Sequence, residues 1–328
     1  AQSFPGELIW IPRRLPDAAS QPAPGSQMVP CLLNIYESSR FLIIYFHSNA
    51  EDLGICRWFC RFVHDQFQVH VLAVEYPGYG ACPGTPTPEG VTANAHAALQ
   101  FATKALKLPL DRILVFGRSL GTGPALELAA RFALAGLVLV TPFLSVKEVL
   151  RSRIGALADF LEHDWFQNSA AIKQVRSPTL VIHGKLDDIV PVNHGEAIYQ
   201  KCTARKGLVC PPDLSHNANI TQDLSIFVMP MLQFFNLPEC CFDELEVPEW
   251  VYKSSSPLKV TGAGRRVSEA DRKSQAPEKK AASPLAAKHP RVRHRFEPSR
   301  EYSFRGLNMN SEMTSEDCRV PDAKPASE

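Results

Sequence analysis

Short apolar runs that alternate with helical stretches limit the fold of this chain most strongly. The run at residues 41–46, Phe-Leu-Ile-Ile-Tyr-Phe, is continuously apolar, which is typical of a strand buried on both faces. Alternation of such runs with helical stretches predicts an α/β fold with a mostly parallel central sheet and helices on both faces. The predicted strands are residues 7–12, 28–36, 41–46, 69–75, 113–116, 137–140, 179–182 and 207–210, and the predicted helices are 53–67, 90–106, 125–130, 195–201 and 224–235.

The pattern Gly-x-Ser-x-Gly marks the junction between one predicted strand and one predicted helix. Gly117, Ser119 and Gly121 follow the apolar run at 113–116 and precede an Ala- and Leu-rich stretch. Three fixed residues recur by chance, but between a buried strand and a helix they predict a nucleophile elbow, a sharp turn that exposes the Ser Oγ. The alternative is an ordinary junction in which Ser119 caps the helix.

A serine nucleophile needs a base and a carboxylate that orients the base, each in a loop after a strand. Asp187 and Asp188 both follow a predicted strand, and the residues alone do not choose between them. His216 lies between the last strand and the last helix and is the predicted base, because imidazole takes and returns a proton near neutral pH. His47 and His183, directly at strand ends, are expected to pack and bond locally.

Acyl transfer also needs two backbone N–H groups where negative charge develops on the substrate oxygen. One is predicted to come from Leu120, the residue after the nucleophile. The other is predicted to come from Asn49, in the loop after the strand at residues 41–46. Both are main-chain roles, so the side chains at these positions are only suggestive.

Residues 143–174 interrupt the alternation of strands and helices, and they predict a small cap over the carboxyl ends of the strands. Sites in open α/β sheets lie at that edge. Four apolar residues of the cap are candidates for lining a substrate pocket, with ordinary core packing as the alternative. They are Phe143, Leu144, Trp165 and Phe166.

The charge distribution divides the chain into two parts. Net charge is only +1 over 328 residues, yet residues 251–328 carry sixteen Lys and Arg against ten Asp and Glu. Many charges, repeated Pro and few aliphatic residues predict that this segment is a disordered, basic, Ser- and Pro-rich tail. We therefore expect one folded domain, residues 1–250. The nearly neutral balance favours no nucleic-acid partner.

Nine scattered cysteines without paired spacing indicate neither a disulfide framework nor a zinc site, and they favour a reducing compartment. No apolar run approaches the length of a membrane span, and residues 1–30 contain no signal-peptide core. The chemistry expected at Ser119 needs no metal or organic cofactor.

Five motifs in a fixed order resemble the α/β-hydrolase superfamily. They are His47-x-Asn-Ala, Tyr76-Pro-Gly-Tyr-Gly, Gly117-x-Ser-x-Gly, His183-Gly-x-x-Asp-x-x-Val-Pro and Ser215-His-Asn. Within the superfamily, residues 32–237 are similar to the ABHD-type (Bem46-like) protein depalmitoylases. The resemblance implies the α/β-hydrolase fold with a minimal cap, and it implies Ser119 as the nucleophile, Asp187 as the acid and His216 as the base.

The same resemblance implies a serine hydrolase that cleaves an acyl ester or thioester through an acyl-enzyme, and in particular a palmitoyl-protein thioesterase, or depalmitoylase. The alternative enzyme is a lipase or carboxylesterase that acts on small or lipid esters. A non-catalytic binding module with the same fold is the alternative outside enzymes. The implied substrate is an acylated protein or a lipid ester, and a monomer is expected.

The chain departs from the family pattern at several positions. Ser48 stands where the family usually has Gly, a change expected to narrow the oxyanion loop or alter its φ preferences, and Ser215 stands where Gly is common. The N-terminal cysteine cluster that holds the depalmitoylases at membranes is not found in these residues, and Cys240 and Cys241 are an alternative acylation site. We expect a cytoplasmic protein, with peripheral contact to the cytoplasmic face of a membrane through this pair or the basic tail as an alternative.

Overall fold

An eight-stranded sheet runs through the protein in the computed structural model, which describes residues 7–15, 27–49, 51–155, 164–240 and 244–253. The strands are β1 Leu8–Pro12, β2 Met28–Asn34, β3 Leu42–Phe46, β4 His70–Val74, β5 Ile113–Arg118, β6 Gly136–Val140, β7 Thr179–Ile182 and β8 Lys206–Val209. Their order across the sheet is β1-β2-β4-β3-β5-β6-β7-β8. The pairs β1–β2 and β2–β4 are antiparallel, and every other pair is parallel. The predicted mostly parallel sheet is confirmed.

The central strands are covered on both faces. Every position of β3, β4 and β6 is buried, as their continuous apolar sequences predict. Every position of β8 is half-buried, because this strand lies at the edge of the sheet and pairs only with β7. Since β3, β5 and β7 run parallel, the loops that follow them emerge at one edge of the sheet.

Helices bury each face of this sheet. They are α1 Leu53–Phe67, α2 Pro88–Gln100, α3 Thr122–Arg131, α4 Val146–Ile154, α5 Asn168–Ala171, α6 Val192–Lys201, α7 Val228–Phe235 and α8 Glu249–Lys253. Buried side chains of α2, α3, α6 and α8 belong to the core on one face, and those of α1 and α7 to the core on the other. All described residues lie in one compact unit.

Local side-chain bonds decide where the two helices of the second face begin. Asp52 accepts the N–H of Ile55 at 2.9 Å and caps α1, and the left-handed Gln68 ends it, so α1 has its predicted bounds. Helix α7 begins later than the predicted residue 224. The Asp223 carboxylate accepts both the N–H and the hydroxyl of Ser225, at 2.8 and 2.7 Å, and this local turn replaces the first helical turn.

The described part of the predicted cap lies between β6 and β7. Ser145 caps α4 by accepting the N–H of Glu148 at 3.2 Å, and the C=O of Trp165 accepts the N–H of Val146 at 3.0 Å. Helix α4 has no buried residue. Residues 156–163 of the predicted cap lie outside the described residues.

The folded part extends past the predicted boundary at residue 250. Helix α8 crosses it, and Trp250 and Val251 are 8% and 1% exposed in the core beside β1. These two apolar side chains, at the start of the charged segment, therefore belong to the core. The rest of the predicted tail, 254–328, lies outside the described residues. None of the described helices has the length and hydropathy needed to cross a membrane.

Replacement of Phe227 tests the packing of α1 against α7. Its ring is fully buried, with centroids 5.7 Å from Phe59, 5.4 Å from Phe67 and 5.7 Å from Phe116. We expect Phe227→Ala to lower the free energy of unfolding by about 3–5 kcal/mol, because it removes buried contacts and leaves a cavity. Urea denaturation measures the change. Met229→Ala, on a side chain that is 43% exposed, is the control, and equal losses in both variants would contradict this packing.

Candidate active site

The predicted elbow is a strained turn between β5 and α3. Ser119 has φ +50°, a left-handed conformation that is costly for a residue with a side chain. Two glycines permit the turn, because a Cβ on Gly117 would overlap with the backbone of Gly121, and a Cβ on Gly121 would overlap with the C=O of Phe46 in β3. The close approach of these backbones holds Ser119 at the tip of the turn.

The structure brings the three predicted side chains into one hydrogen-bonded row. Ser119 Oγ lies 3.0 Å from His216 Nε2, and His216 Nδ1 lies 2.8 Å from Asp187 Oδ2 and 3.0 Å from Oδ1. A proton on Nδ1 is donated to the carboxylate, which leaves Nε2 free to accept the hydroxyl proton of Ser119. His216 and Asp187 are 8% and 7% exposed, so the row is shielded from water except at Ser119.

The backbone also distinguishes the two adjacent carboxylates. Asp187 Oδ1 accepts the N–H groups of Ile189 and Val190 at 3.0 and 2.7 Å, while Asp188 is exposed. Burial acts to raise the pKa of Asp187, but hydrogen bonds from His183, His216 and Val190 outweigh it and hold this pKa well below its usual range. Asp187 is therefore the carboxylate that faces the imidazole, and it stays ionised.

A second histidine, His183, supports the same carboxylate. Its Nε2 lies 2.8 Å from the C=O of Val190 and 3.2 Å from Asp187 Oδ2, and its Nδ1 has no hydrogen-bond partner among the described residues. Because Nε2 faces two acceptor oxygens, this nitrogen is the one that donates a proton. His183 packs locally as expected, but sequence reasoning missed its contact with Asp187. The four-residue spacing between them is the one signal that pointed to it.

The loop after β3 places the predicted second oxyanion donor. The C=O of Ser48 accepts His47 Nδ1–H at 2.9 Å and the N–H of Glu51 at 3.2 Å. In a trans peptide the N–H points away from the C=O, so the N–H of Asn49 points away from these donors. It has no acceptor among the described residues, while the Asn49 side chain accepts the hydroxyl of Tyr79 at 2.5 Å. Ser48 is not in the left-handed region, so this loop does not require glycine there.

A buried histidine–glutamate pair lies behind this loop. His47 Nε2 is 2.9 Å from Glu75 Oε1, and the side chains of both residues are at most 1% exposed. Both ring nitrogens of His47 face oxygen atoms, those of the Ser48 C=O and of the Glu75 carboxylate. Glu75 Oε2 also accepts the N–H of Leu53 at the start of α1. The pair ties the loop to β4 and α1, and the sequence showed no pattern linking these residues.

The four predicted pocket residues are placed mainly by packing. Leu144 and Phe166 contact the core beside β5, and the Phe166 ring lies against Gly123 at the start of α3. Phe143 is buried, and Trp165 is half-buried. A cavity of about 630 Å³ lies between β8 and residues 218–226, beside the loop that carries His216, which we call the base loop. None of the four residues lines this cavity. Their place in an acyl pocket stays a prediction.

The described cysteines are all free. Those that are buried are Cys31, Cys56, Cys60, Cys82 and Cys202. Cys240 is exposed and its backbone pairs with Ser39, while Cys241 lies outside the described residues. Within the described ranges, no group of three or more His, Cys, Asp or Glu side chains is arranged to hold a metal ion.

The low pKa of Asp187 makes a prediction about stability in acid. In the unfolded chain an Asp has a pKa of about 3.9. The stabilisation that ionised Asp187 gives to the folded state is therefore present above that pH and is lost as pH falls further. We expect the free energy of unfolding to fall more steeply for the wild type than for Asp187→Asn between about pH 5 and pH 2.5. Urea denaturation at each pH measures both slopes. Equal slopes would contradict the prediction, and Asp188→Asn is the control from the same loop.

The chain is similar in sequence to several α/β-hydrolase-domain proteins, although no family model matches it. It is 31% identical over 180 residues to the α/β-hydrolase-domain protein aho-3 of Caenorhabditis elegans, which covers 55% of this chain and 53% of that protein. It is 32% identical over 165 residues to human α/β-hydrolase-domain protein 17C, covering 50% and 49%. The chain spans about half the length of these curated relatives.

Solved structures with the same fold are esterases. An esterase of Pyrococcus furiosus has a TM-score of 0.56 at 15% identity, covering 71% of this chain and 93% of that one. The esterase Est1E of Butyrivibrio proteoclasticus, with ferulic acid bound, has a TM-score of 0.53 at 18% identity, covering 64% and 96%. At these identities the likeness shows the fold alone. The protein thus has the α/β-hydrolase fold, and its resemblance to the ABHD-type α/β-hydrolase-domain proteins, predicted from the five motifs, is confirmed.

Proposed function

We propose that the protein is a serine hydrolase that cleaves an acyl ester or thioester through an acyl-enzyme. The observation that carries the proposal is the continuous row Ser119–His216–Asp187, with distances of 3.0 and 2.8 Å between successive polar atoms. A hydroxyl, an imidazole and a buried carboxylate in this order form the arrangement that activates serine for attack on a carbonyl. The strained elbow, at the carboxyl end of a central strand, supports the same role.

The reaction follows from the positions of the protons. His216 Nε2 takes the hydroxyl proton as Ser119 Oγ bonds to the carbonyl carbon, and the carbonyl electrons move onto oxygen. The N–H groups of Leu120 and Asn49 stabilise that oxyanion. His216 then gives the proton to the departing alkoxide or thiolate. Water repeats the sequence on the acyl-enzyme and frees the acid, while Asp187 stays ionised throughout.

A long acyl chain on a protein thiol is the substrate that we favour. The motif resemblance to protein depalmitoylases supports this choice. So do exposed apolar side chains in the loop that carries the acid, since Leu186 and Ile189, on either side of Asp187 in the sequence, are 60% and 39% exposed. Ile154, at the end of α4, is 48% exposed, and its neighbour Arg153 bonds to the C=O of Asp188 in the same loop. Exposed apolar groups clustered in this way suit an acyl chain or a lipid surface.

The alternative enzyme within this proposal is an esterase or lipase that acts on small or lipid esters. It would use the same Ser119–His216–Asp187 row. A cytoplasmic location with peripheral membrane contact goes with an acylated-protein substrate, and the exposed thiol of Cys240 is a candidate for acylation.

Labelling with a fluorophosphonate probe tests the nucleophile. We expect Ser119→Ala to abolish labelling and to lower turnover by at least about a thousandfold, because no other group replaces the attacking oxygen. Ser152→Ala, which removes an exposed hydroxyl from α4, should label and turn over like the wild type. The assay compares a palmitoyl thioester with an acetyl ester.

Each result selects one function. Turnover that favours the palmitoyl thioester supports a depalmitoylase, and turnover restricted to the short ester supports a carboxylesterase. If folded wild-type protein neither labels nor turns over either compound, the hydrolase proposal fails and a binding module takes its place.

A further inference from the structure

Arg118, the residue just before the proposed nucleophile, reaches the loop that carries His216. Its Nη2 donates to the C=O of Ala218 at 3.1 Å and lies 3.4 Å from the C=O of His216. The side chain is 13% exposed, so these bonds are shielded from competing water. Both acceptors belong to the backbone of the base loop, and the guanidinium therefore links this loop directly to the elbow.

Within the part of the chain that the structure describes, the base loop, residues 214–222, has few other backbone hydrogen bonds to the rest of the fold. The C=O of Leu214 accepts the N–H of Leu186 at 3.2 Å at its start. The loop then closes on itself, since the N–H of Ala218 donates to the C=O of Ser215 at 3.2 Å. The imidazole of His216 is held by the Asp187 carboxylate, and the backbone at Ala218 is held by Arg118. That bond lies two residues after the imidazole that faces Ser119.

The other side of the guanidinium faces the oxyanion loop. Arg118 Nη1 lies 4.0 Å from Glu51 Oε1, and the Glu51 side chain is 20% exposed. Glu51 Oε2 accepts the N–H of Ser48 at 3.1 Å, and the N–H of Glu51 donates back to the C=O of Ser48 at 3.2 Å. This reciprocal pair closes a turn around Asn49, the proposed second oxyanion donor. The charge of Glu51 thus joins the oxyanion loop to Arg118.

We infer that Arg118 and Glu51 are positioning residues that fix the base loop and the oxyanion loop, residues 47–53, relative to each other around Ser119. The inference rests on the proposed function, because the relative position of these loops matters only if they carry the base and an oxyanion donor. Arginine suits this place, since its planar, permanently charged fork donates to carbonyls on one side while facing a carboxylate on the other. Misplacement of a reacting group by about 1 Å costs on the order of a hundredfold in rate.

Steady-state kinetics on Arg118→Met, Arg118→Lys and Glu51→Gln test the inference. We expect Arg118→Met to lower kcat by about 10- to 100-fold with KM within about twofold, because the substrate still binds but the reacting groups are misplaced. Lysine keeps the charge but loses the fork, so Arg118→Lys should recover part of kcat. The double variant Arg118→Met/Glu51→Gln should be no slower than Arg118→Met, since both residues act through one bridge.

A matched control separates this role from the general loss of an arginine. Arg205 also donates to a backbone C=O, that of Phe234 at 2.8 Å, and lies over its ring at 4.3 Å, away from the site. Arg205→Met should keep wild-type kcat. The inference would be overturned if Arg118→Met kept the wild-type kcat. It would also be overturned if the fold-losses of kcat in Arg118→Met and Glu51→Gln multiplied in the double variant. If Arg118→Met does not fold, Arg118→Lys and Glu51→Gln carry the test.

Hydrogen exchange on the same variants keeps the inference separate from the proposed function. Without substrate, we expect Arg118→Met to speed amide exchange both in residues 214–222 and in residues 47–53. Glu51→Gln should speed exchange in the base loop, which it does not touch. An inactive wild type with this linked exchange would sink the hydrolase and leave the positioning role in place. Unchanged exchange in the distant loop of each variant would overturn the positioning role, whatever the activity.

Discussion

The close approach of three backbones at the elbow is the contact on which the rest of the site depends. Gly121 lies against the C=O of Phe46, and Gly117 lies against Gly121, at separations that leave no room for a Cβ. These contacts bring the start of α3 onto β3 and β5, and they hold Ser119 in a backbone conformation that it would not adopt alone. The parallel strands then bring the loops after β3 and β7 to the same edge as this turn.

Buried polar contacts, rather than regular secondary structure, position those loops. His47 and Glu75 hold the loop after β3, His183 and two backbone N–H groups hold Asp187, and Arg118 holds the base loop. Each contact joins a loop to a strand end or to another loop. Buried hydrogen-bonded groups therefore support the loops that carry the Ser119–His216–Asp187 row, and low-dielectric surroundings strengthen such bonds.

Local patterns in the sequence predicted the sheet and the elbow, because strand burial and strained turns leave their signals in neighbouring residues. They did not separate Asp187 from Asp188, since both carboxylates fit a loop and only the backbone shows which one faces the imidazole. Contacts between residues far apart in the chain, such as Glu75 with His47 or Arg118 with Ala218, leave no such signal. The charged composition of the last part of the chain gives no sign that Trp250 and Val251, at the predicted domain boundary, pack in the core.

The pair His47–Glu75 shows that the stability of the fold and the exact position of the loop after β3 can have different requirements. Removing a histidine and a carboxylate from water is costly, and apolar residues of similar volume in such places are often neutral or even favourable for folding. Selection for a higher melting temperature alone would thus tend to erase the pair and leave the loop at Ser48 to settle by itself. Thermal robustness and a well-placed Asn49 N–H are therefore competing demands on the same two buried positions.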